Sequence, residues 1–154
     1  MVKQSVLRVQ VALQALGLDA PIVVFPTSTR TVAEAAATLG ATEGQIVKSL
    51  VLVSAEGPVL VLASGTNRLD LALLSSTLGR TIRMASAEEV RAITGYAVGG
   101  VPPVGHASGL RTYVDRDLPR YDVVYAAAGT PNAAFAIAPD RLLEITSGVY
   151  VAVC

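Results

Sequence analysis

Two aliphatic runs separated by a short polar segment constrain the fold of this chain most. Residues 46–53 and 58–63 are almost entirely apolar, and Ser54-Ala55-Glu56-Gly57 lies between them. This spacing predicts a buried β-hairpin, because each run has strand length and the segment between them has turn residues. Hydrophobic periodicity and capping residues predict further elements: strands at 21–25, 81–84, 110–114, 122–128, 133–138 and 149–153, and helices at 5–16, 31–39, 70–78, 86–93 and 139–145.

The order of these elements predicts the fold class. Adjacent strands punctuated by helices are typical of an α+β fold around a mixed, largely antiparallel sheet, whereas a doubly wound domain alternates strand and helix more regularly. We find no linker, internal repeat or low-complexity segment in the sequence. We therefore expect residues 1–154 to form a single domain.

Charge and cysteine content restrict the classes of partner. Twelve basic and twelve acidic residues cancel, so an anionic ligand must be recognised by a local patch, and we expect neither DNA nor a membrane as a partner. The single cysteine, Cys154, provides neither an internal disulfide nor a metal cluster. We expect no metal and no cofactor. The absence of a signal peptide pattern and of an apolar stretch of spanning length predicts a cytoplasmic protein.

Lys48 is the only charged residue in the first aliphatic run, Ile46 to Val53. Dehydrating an ammonium group costs several kcal/mol, so the head of such a lysine normally lies in water or in a binding site. One interpretation is that Lys48 extends its charge to solvent at a strand end. The other is that Lys48 binds an anion on the wall of a cleft.

A second distinctive stretch runs from Gly95 to His106 and contains four glycines and two prolines. Glycine permits positive φ and close approach of the backbone, so free amides in this loop can face a ligand, although such stretches also occur as plain connections. The loop lacks the spacing of a phosphate-binding Walker loop and of a dinucleotide fingerprint. With one histidine and no Gly-x-Ser-x-Gly elbow, the sequence does not support a Ser-His-Asp hydrolase either.

Taken together, four segments resemble in order and spacing the YbaK family, free-standing relatives of the editing domain inserted in bacterial prolyl-tRNA synthetases. The resemblance covers roughly residues 20–152 and implies a compact α+β domain, with a mixed, largely antiparallel sheet or a partly closed barrel surrounded by helices. It implies that the chain hydrolyses the ester between a mischarged amino acid and tRNA. The four segments are Ile46 to Val51, Gly99 to Gly105, Tyr113 to Leu118 and Ala128-Gly129.

The resemblance also implies site residues. The family lysine falls on Lys48, which would meet a phosphate or hydroxyl of the tRNA end, and the amides of Gly99 and Gly100 would hold the aminoacyl carbonyl or the terminal adenosine. His106 is either a base near the ester or a solvated loop residue. The remaining residues that the resemblance places against substrate are Thr27, Ser28, Val101, Pro102, Pro103, Gly129 and Asn132.

One departure from the family pattern leaves the edited amino acid open. The inserted synthetase domains carry a histidine near the turn 129–132, whereas the polar side chains here are Thr130 and Asn132. An amide can position a substrate but cannot carry a proton at neutral pH. A Cys- or Ala-tRNA(Pro)-like substrate fits the resemblance.

Two other hypotheses compete with a deacylase whose substrate and backbone amides assist the water. The chain is alternatively a non-catalytic module that binds tRNA ends or nucleotides, or a protein-interaction domain on the same fold. The expected partners of the deacylase are the 3′ end of a mischarged tRNA and an aminoacyl-tRNA synthetase. A focused positive patch beside Lys48 would favour tRNA, and an exposed apolar patch would favour a protein partner.

Overall fold

The computed structural model describes residues 3–27 and 29–154. Within these ranges the chain forms five α-helices and eight β-strands, with short 3₁₀ turns at Glu43–Gln45 and Leu118–Arg120. Each predicted strand and helix is present, with ends that differ by a few residues. In chain order the elements are α1 (Gln4–Ala15), β1 (Ile22–Val24), α2 (Val32–Leu39), β2 (Val47–Val53), β3 (Val59–Ser64), α3 (Leu71–Leu78), β4 (Arg83–Met84), α4 (Ala87–Thr94), β5 (Arg111–Asp115), β6 (Val124–Ala127), β7 (Ala133–Ile137), α5 (Pro139–Thr146) and β8 (Val149–Val151).

The strands form two sheets rather than one. The larger sheet has the order β4-β2-β3-β5-β8, and the smaller has the order β1-β7-β6. The predicted hairpin is the antiparallel pair of β2 and β3, while β5 lies parallel to β3 and β8 lies parallel to β5. The smaller sheet is antiparallel throughout. The predicted α+β class with a mixed, largely antiparallel arrangement is therefore confirmed.

Strand β3 separates two hydrophobic cores, which explains its unbroken aliphatic sequence. All six of its residues are buried, and successive side chains point to opposite faces of the sheet. Leu60 and Leu62 enter a core between the two sheets, where α1 and α5 also pack. Val59 and Val61 enter a second core that is covered by Leu74 of α3.

Strand β2 follows the same alternation and has an open edge. Its neighbour β4 pairs only with Leu52 and Val53, and the nearest link to the smaller sheet is a single parallel bridge between Ile46 and Tyr125. In the described part of the chain, residues 47–50 therefore have a strand partner on the β3 side only. The two sheets diverge along this edge, and the gap between them forms a cavity.

Capping residues define the helices on either side of this gap. The Thr31 hydroxyl accepts a hydrogen bond from the Glu34 amide at the start of α2, the helix predicted over 31–39. Ser86 and Glu89 form a reciprocal capping box at the start of α4, and Gly95 ends that helix with φ of 83°. Among the described residues, no helix is long and apolar enough to cross a membrane.

Candidate functional site

A cavity of about 370 Å³ lies along the open edge of β2. Its volume lies within the range of small-ligand sites in proteins. The walls come from β2, from one face of α2, from β6 and β7, and from the loop that follows α4. Its lining residues include Phe25, Thr29, Arg30, Val32, Ala35, Leu39, Lys48, Ser49, Leu50, Val98, Gly99, Val101, Tyr125, Ala127, Pro131 and Ala134.

Lys48 lines this cavity, and its ammonium group is not free in solvent. The side chain is half-buried, and Nζ donates a hydrogen bond to the backbone carbonyl of Asn67. Burial lowers the pKa of the Lys48 ammonium below its ordinary value of 10.5, because a charged group is less well solvated there. The Asp115 carboxylate opposes this shift by raising the pKa, and the Arg68 guanidinium adds to it.

The Asn67 side chain, next to the carbonyl that contacts Lys48, is held by the buried carboxylate of Asp115 and the half-buried one of Asp117. Asn67 donates from Nδ2 to Oδ2 of Asp115 and to Oδ2 of Asp117, each at 2.8 Å. Asp115 is 1% exposed, and it also accepts hydrogen bonds from the amide of Ser64 and from the amide of Asp117, each at 2.9 Å. This cluster therefore fixes the carbonyl that the Lys48 ammonium contacts.

The two glycines that were expected to present their amides to substrate, Gly99 and Gly100, differ in the structure. Gly99 lines the cavity with φ of 88°, a conformation that favours glycine. The amide of Gly100, however, donates to the carbonyl of Ala97 at 3.0 Å, so it closes a turn and is not available to a ligand. Gly100 is required for close packing instead, since a Cβ atom at this position would lie 2.8 Å from Cα of Thr130. The Gly100 amide therefore has an acceptor within the protein, and its predicted role toward substrate stays a prediction.

The remainder of the loop is mostly scaffold. Val101 lines the cavity, whereas Pro102 and Pro103 are buried and lie outside the lining. Nε2 of His106 lies 2.6 Å from the carbonyl oxygen of Pro102, and burial lowers the pKa of the imidazole. His106 is also outside the lining, so the structure brings it neither to the cavity nor into full solvent exposure.

The turn 129–132 supports the walls of the cavity through hydrogen bonds within the protein. Asn132 donates from Nδ2 to the carbonyl of Phe25 at 3.1 Å and accepts a hydrogen bond from the hydroxyl of Thr130 at 2.6 Å. The amide of Gly129 donates to the carbonyl of Gly100 at 2.9 Å. Neither Gly129 nor Asn132 lines the cavity; their neighbour Pro131 does.

The predicted pocket residues after β1 are only partly tested. Thr27 is exposed and outside the lining, and Ser28 lies outside the described residues. Thr29 lines the cavity, although its hydroxyl donates to the carbonyl of Pro131 at 2.9 Å.

The sequence did not indicate that one face of α2 forms a wall of the cavity. Val32, Ala35 and Leu39 line it at helical spacing. The sequence does carry a signal for this wall. It is a helix directly after a strand, with apolar residues three and four positions apart.

The cavity carries positive charge although the chain as a whole is neutral. Its charged lining residues are Arg30 and Lys48, and no acidic residue of the described ranges lines it. Arg68 is exposed and close enough to Lys48 to affect its pKa. Val98, 59% exposed, adds an apolar rim. A positive patch beside Lys48, which favours an anionic ligand, is therefore present, and the exposed apolar residue Val98 lies next to it.

The cavity lining offers few groups that can bind or react. Its titratable side chains are Arg30, Lys48 and Tyr125, and the amides of Gly99 and Val101 have no hydrogen-bond acceptor among the described residues. No group of three or more His, Cys, Asp or Glu residues suited to a metal ion occurs in the described part of the chain. The cavity can hold an anion by charge and a carbonyl oxygen by backbone donors.

Comparison with known proteins gives a consistent result. Residues 27–145 match the family model described as "Aminoacyl-tRNA editing domain". The chain is 38% identical over 133 residues to "Uncharacterized protein YwhH" of Bacillus subtilis, a match that covers 84% of each chain. It is 32% identical over 117 residues to "Putative Cys-tRNA(Pro)/Cys-tRNA(Cys) deacylase EbsC" of Enterococcus faecalis, covering 75% of this chain and 71% of that protein.

A solved structure agrees over nearly the whole chain. The structure described as "a putative trans-editing enzyme for prolyl tRNA synthetase" superposes with a TM-score of 0.95 at 48% sequence identity. The match covers 99% of this chain and 98% of the other.

Proposed function

The chain belongs to the aminoacyl-tRNA editing domain family, the YbaK group, and on that premise we propose that it hydrolyses mischarged aminoacyl-tRNA. In this reaction a water molecule attacks the ester carbonyl at the 3′ end of the tRNA. The bond between the carbonyl carbon and the ribose oxygen breaks, and the ribose oxygen takes up a proton. The products are the free amino acid and an uncharged tRNA that can be charged again.

The observation that carries this proposal is that one cavity holds both Lys48 and Gly99. The two residues are separated by fifty positions in the sequence and belong to different walls, β2 and the loop after α4. A cationic group and free backbone donors are what an anionic nucleic acid end and a reacting carbonyl require. The cavity volume of about 370 Å³ suits the terminal part of an aminoacyl-tRNA and not a long segment of it.

In this proposal the backbone stabilises the charge that develops on the carbonyl oxygen. The amides of Gly99 and Val101 donate to that oxygen, and the fixed backbone needs no rearrangement when charge appears. Lys48 and Arg30 bind the phosphate or hydroxyl groups of the tRNA end by charge. Lys48 is a positioning cation and not a base.

Proton transfer is assigned to water and to the substrate itself. The cavity lining has no histidine, cysteine or carboxylate side chain among the described residues. A hydroxyl or thiol of the substrate can assist the attacking water in place of a protein base. The expected rate enhancement is therefore smaller than that of an enzyme with a positioned base, because such a base typically accelerates the reaction about 10²- to 10⁴-fold.

The proposed substrate is a tRNA that carries a small amino acid. The small apolar side chains of Ala35, Ala127 and Ala134 line the cavity and favour a compact group. The relative EbsC is named for Cys-tRNA(Pro) and Cys-tRNA(Cys), and the structural relative is named as acting for prolyl-tRNA synthetase. Cys- or Ala-tRNA(Pro) is therefore the first substrate to test, with a synthetase as a second partner.

A panel of mischarged tRNAs tests the proposal. tRNA(Pro) charged with Ala, Cys, Ser or Pro is incubated with saturating protein, and release of the amino acid is followed. We expect hydrolysis of one or a few members well above the uncatalysed rate. Binding of every member without release of the amino acid would instead identify a non-catalytic tRNA-end module. If the protein neither binds nor hydrolyses any member, tRNA is not its ligand.

A further inference from the structure

Ser49 has a buried hydroxyl group without a hydrogen-bond partner in the part of the chain that the structure describes. It follows Lys48 in β2 and shares a face of the strand with Val47 and Val51, both of which are buried in the core between the sheets. Its Oγ atom is shielded from solvent, and no residue of the ranges 3–27 and 29–154 accepts from it or donates to it.

Other buried hydroxyl groups within residues 3–27 and 29–154 have hydrogen-bond partners. Ser64 donates to the carbonyl of Gly44 at 2.7 Å, and Thr94 donates to the carbonyl of Val90 at 2.7 Å. A buried hydroxyl that makes no hydrogen bond destabilises the fold, so an orphaned one requires an explanation. The unpartnered oxygen of Ser49 is therefore unusual within this molecule, and it lies where a ligand is expected.

The position of Ser49 joins two cavities. It lines the large cavity, and it also lines a smaller neighbouring one of about 70 Å³. The lining of the smaller cavity is otherwise aliphatic or thioether, so Ser49 supplies its one hydrogen-bonding side chain in the described part of the protein. The other residues of that lining are Leu50, Val51, Met84, Ala85, Val90, Val98 and Val101.

We propose that the Ser49 hydroxyl is a substrate-binding group, whose partner is a neutral hydroxyl or thiol on the aminoacylated end of the tRNA. The inference rests on the proposed deacylase function and adds a contact to it. The partner is neutral because a charged group would lose too much hydration among Leu50, Val98 and Val101. Ser49 lines both cavities, and its Oγ has three staggered positions about the Cα–Cβ bond.

Two parts of the substrate carry such a group next to the ester. One is the free hydroxyl of the terminal ribose, which every aminoacyl-tRNA has. The other is the side chain of an edited Ser or Cys, and the smaller cavity is of a size for one such side chain. The shared chemistry is a compact group that can donate or accept a single hydrogen bond.

The Ser49→Ala variant distinguishes a substrate-binding role of the hydroxyl from a structural one. Removing an unsatisfied buried hydroxyl leaves the urea midpoint unchanged or raises it, while the loss of a substrate hydrogen bond lowers kcat/KM by roughly 3- to 10-fold. Ser49→Thr keeps a hydroxyl and retains more activity than Ser49→Ala. Ser64→Ala is the stability comparison, because it removes a satisfied bond and lowers the urea midpoint.

The assay uses one tRNA charged with a polar residue (Cys or Ser) and with an apolar one (Ala or Pro). A loss of kcat/KM on both arms identifies the ribose hydroxyl as the partner, and a loss on the polar arm alone identifies the side chain. If wild-type protein is active and Ser49→Ala matches it on both arms, or loses activity only in step with stability, the inference is overturned and the proposed function stands. If wild-type protein hydrolyses neither substrate, the proposed function fails first and this inference falls with it.

Discussion

The Lys48 ammonium donates to the backbone carbonyl of Asn67, and the side chain of Asn67 bridges two carboxylates. The only cation on the β2 wall of the cavity is thereby tied to a polar cluster centred on Asp115, which is 1% exposed. An isolated ammonium in an aliphatic strand is costly, and this arrangement compensates for part of that cost. It also gives Lys48 a defined position at the edge of the cavity.

The pKa of Lys48 should depend on Asp115. Burial lowers the pKa below 10.5 and Asp115 raises it again, so Asp115→Asn should lower the pKa further. The chain has two lysines, Lys3 and Lys48, so reductive ¹³C-methylation gives few resonances, and Lys48→Ala assigns the relevant one. An equal or higher titration midpoint in Asp115→Asn would show that the carboxylate does not act on the ammonium.

The same pKa shift predicts the pH dependence of ligand binding. Because the folded-state pKa of Lys48 is below its unfolded value, the folded protein loses this cation at a lower pH than an ordinary lysine would. The destabilisation from burying the cation is present below the folded pKa and is relieved as pH rises toward 10.5. Affinity for a non-hydrolysable amide-linked aminoacyl-adenosine 5′-phosphate should fall over that window, and earlier in Asp115→Asn. Affinity that is constant through the titration of Lys48 contradicts a role for its charge.

Asp115→Asn should also reduce stability. Asp115 accepts hydrogen bonds from Ser64, Asn67 and Asp117, and an amide in its place presents a donor to at least one of these donors. We expect a loss of about 1–3 kcal/mol in the free energy of unfolding, measured in urea. Asp19→Asn, at an exposed position, is the matched control and should leave the midpoint unchanged within error.

The close packing of Gly100 predicts that a single methyl group displaces the loop. A Cβ atom in Gly100→Ala would lie 2.8 Å from Cα and 2.9 Å from N of Thr130, so the loop or the turn 129–132 must shift. Overpacking of this kind typically costs about 1–3 kcal/mol, and moving Gly99 should lower kcat more than a stability loss explains. In Gly109→Ala the added Cβ has no atom within 4 Å, which makes it the control. Equal activity of the two variants would show that the loop position does not matter for turnover.

The wall formed by α2 can be tested by filling the cavity. Ala35 lines the cavity, whereas Ala37 on the same helix is exposed. Ala35→Phe should occlude the space and reduce ligand affinity at least tenfold, while Ala37→Phe should bind as the wild type does. Circular dichroism melts of both variants separate occlusion from unfolding. Unchanged affinity in Ala35→Phe would place the ligand elsewhere.

Much of the fold follows from local sequence signals. Thr31 and Ser86 mark helix starts because their hydroxyl groups accept amide hydrogen bonds there, and the aliphatic runs around residues 54–57 form the hairpin. The division into two sheets did not follow. It depends on β5 joining β3 in parallel and on Ile46 contacting Tyr125, pairings that join segments about fifty or more residues apart.

The candidate site was predictable only in part. A lone lysine in an aliphatic strand and a glycine-rich loop are visible in the sequence, and the structure places Lys48 and Gly99 in one cavity. The availability of a given donor is not visible, since Gly100 and Asn132 use their hydrogen bonds within the fold. The orphaned hydroxyl of Ser49 likewise depends on what surrounds it, and sequence carries no signal for that.

Single-turnover hydrolysis by wild-type protein and by Lys48→Ala, on the best substrate of the mischarged tRNA panel, measures the role of the proposed site. Lys3→Ala serves as the matched lysine control, because Lys3 is exposed and distant in sequence from the cavity. We expect wild-type and Lys3→Ala proteins to release the amino acid at the same rate, and Lys48→Ala to lose most of that activity with its thermal melt retained. Full turnover by folded Lys48→Ala, or no hydrolysis by wild-type protein on any member of the panel, would contradict the proposal.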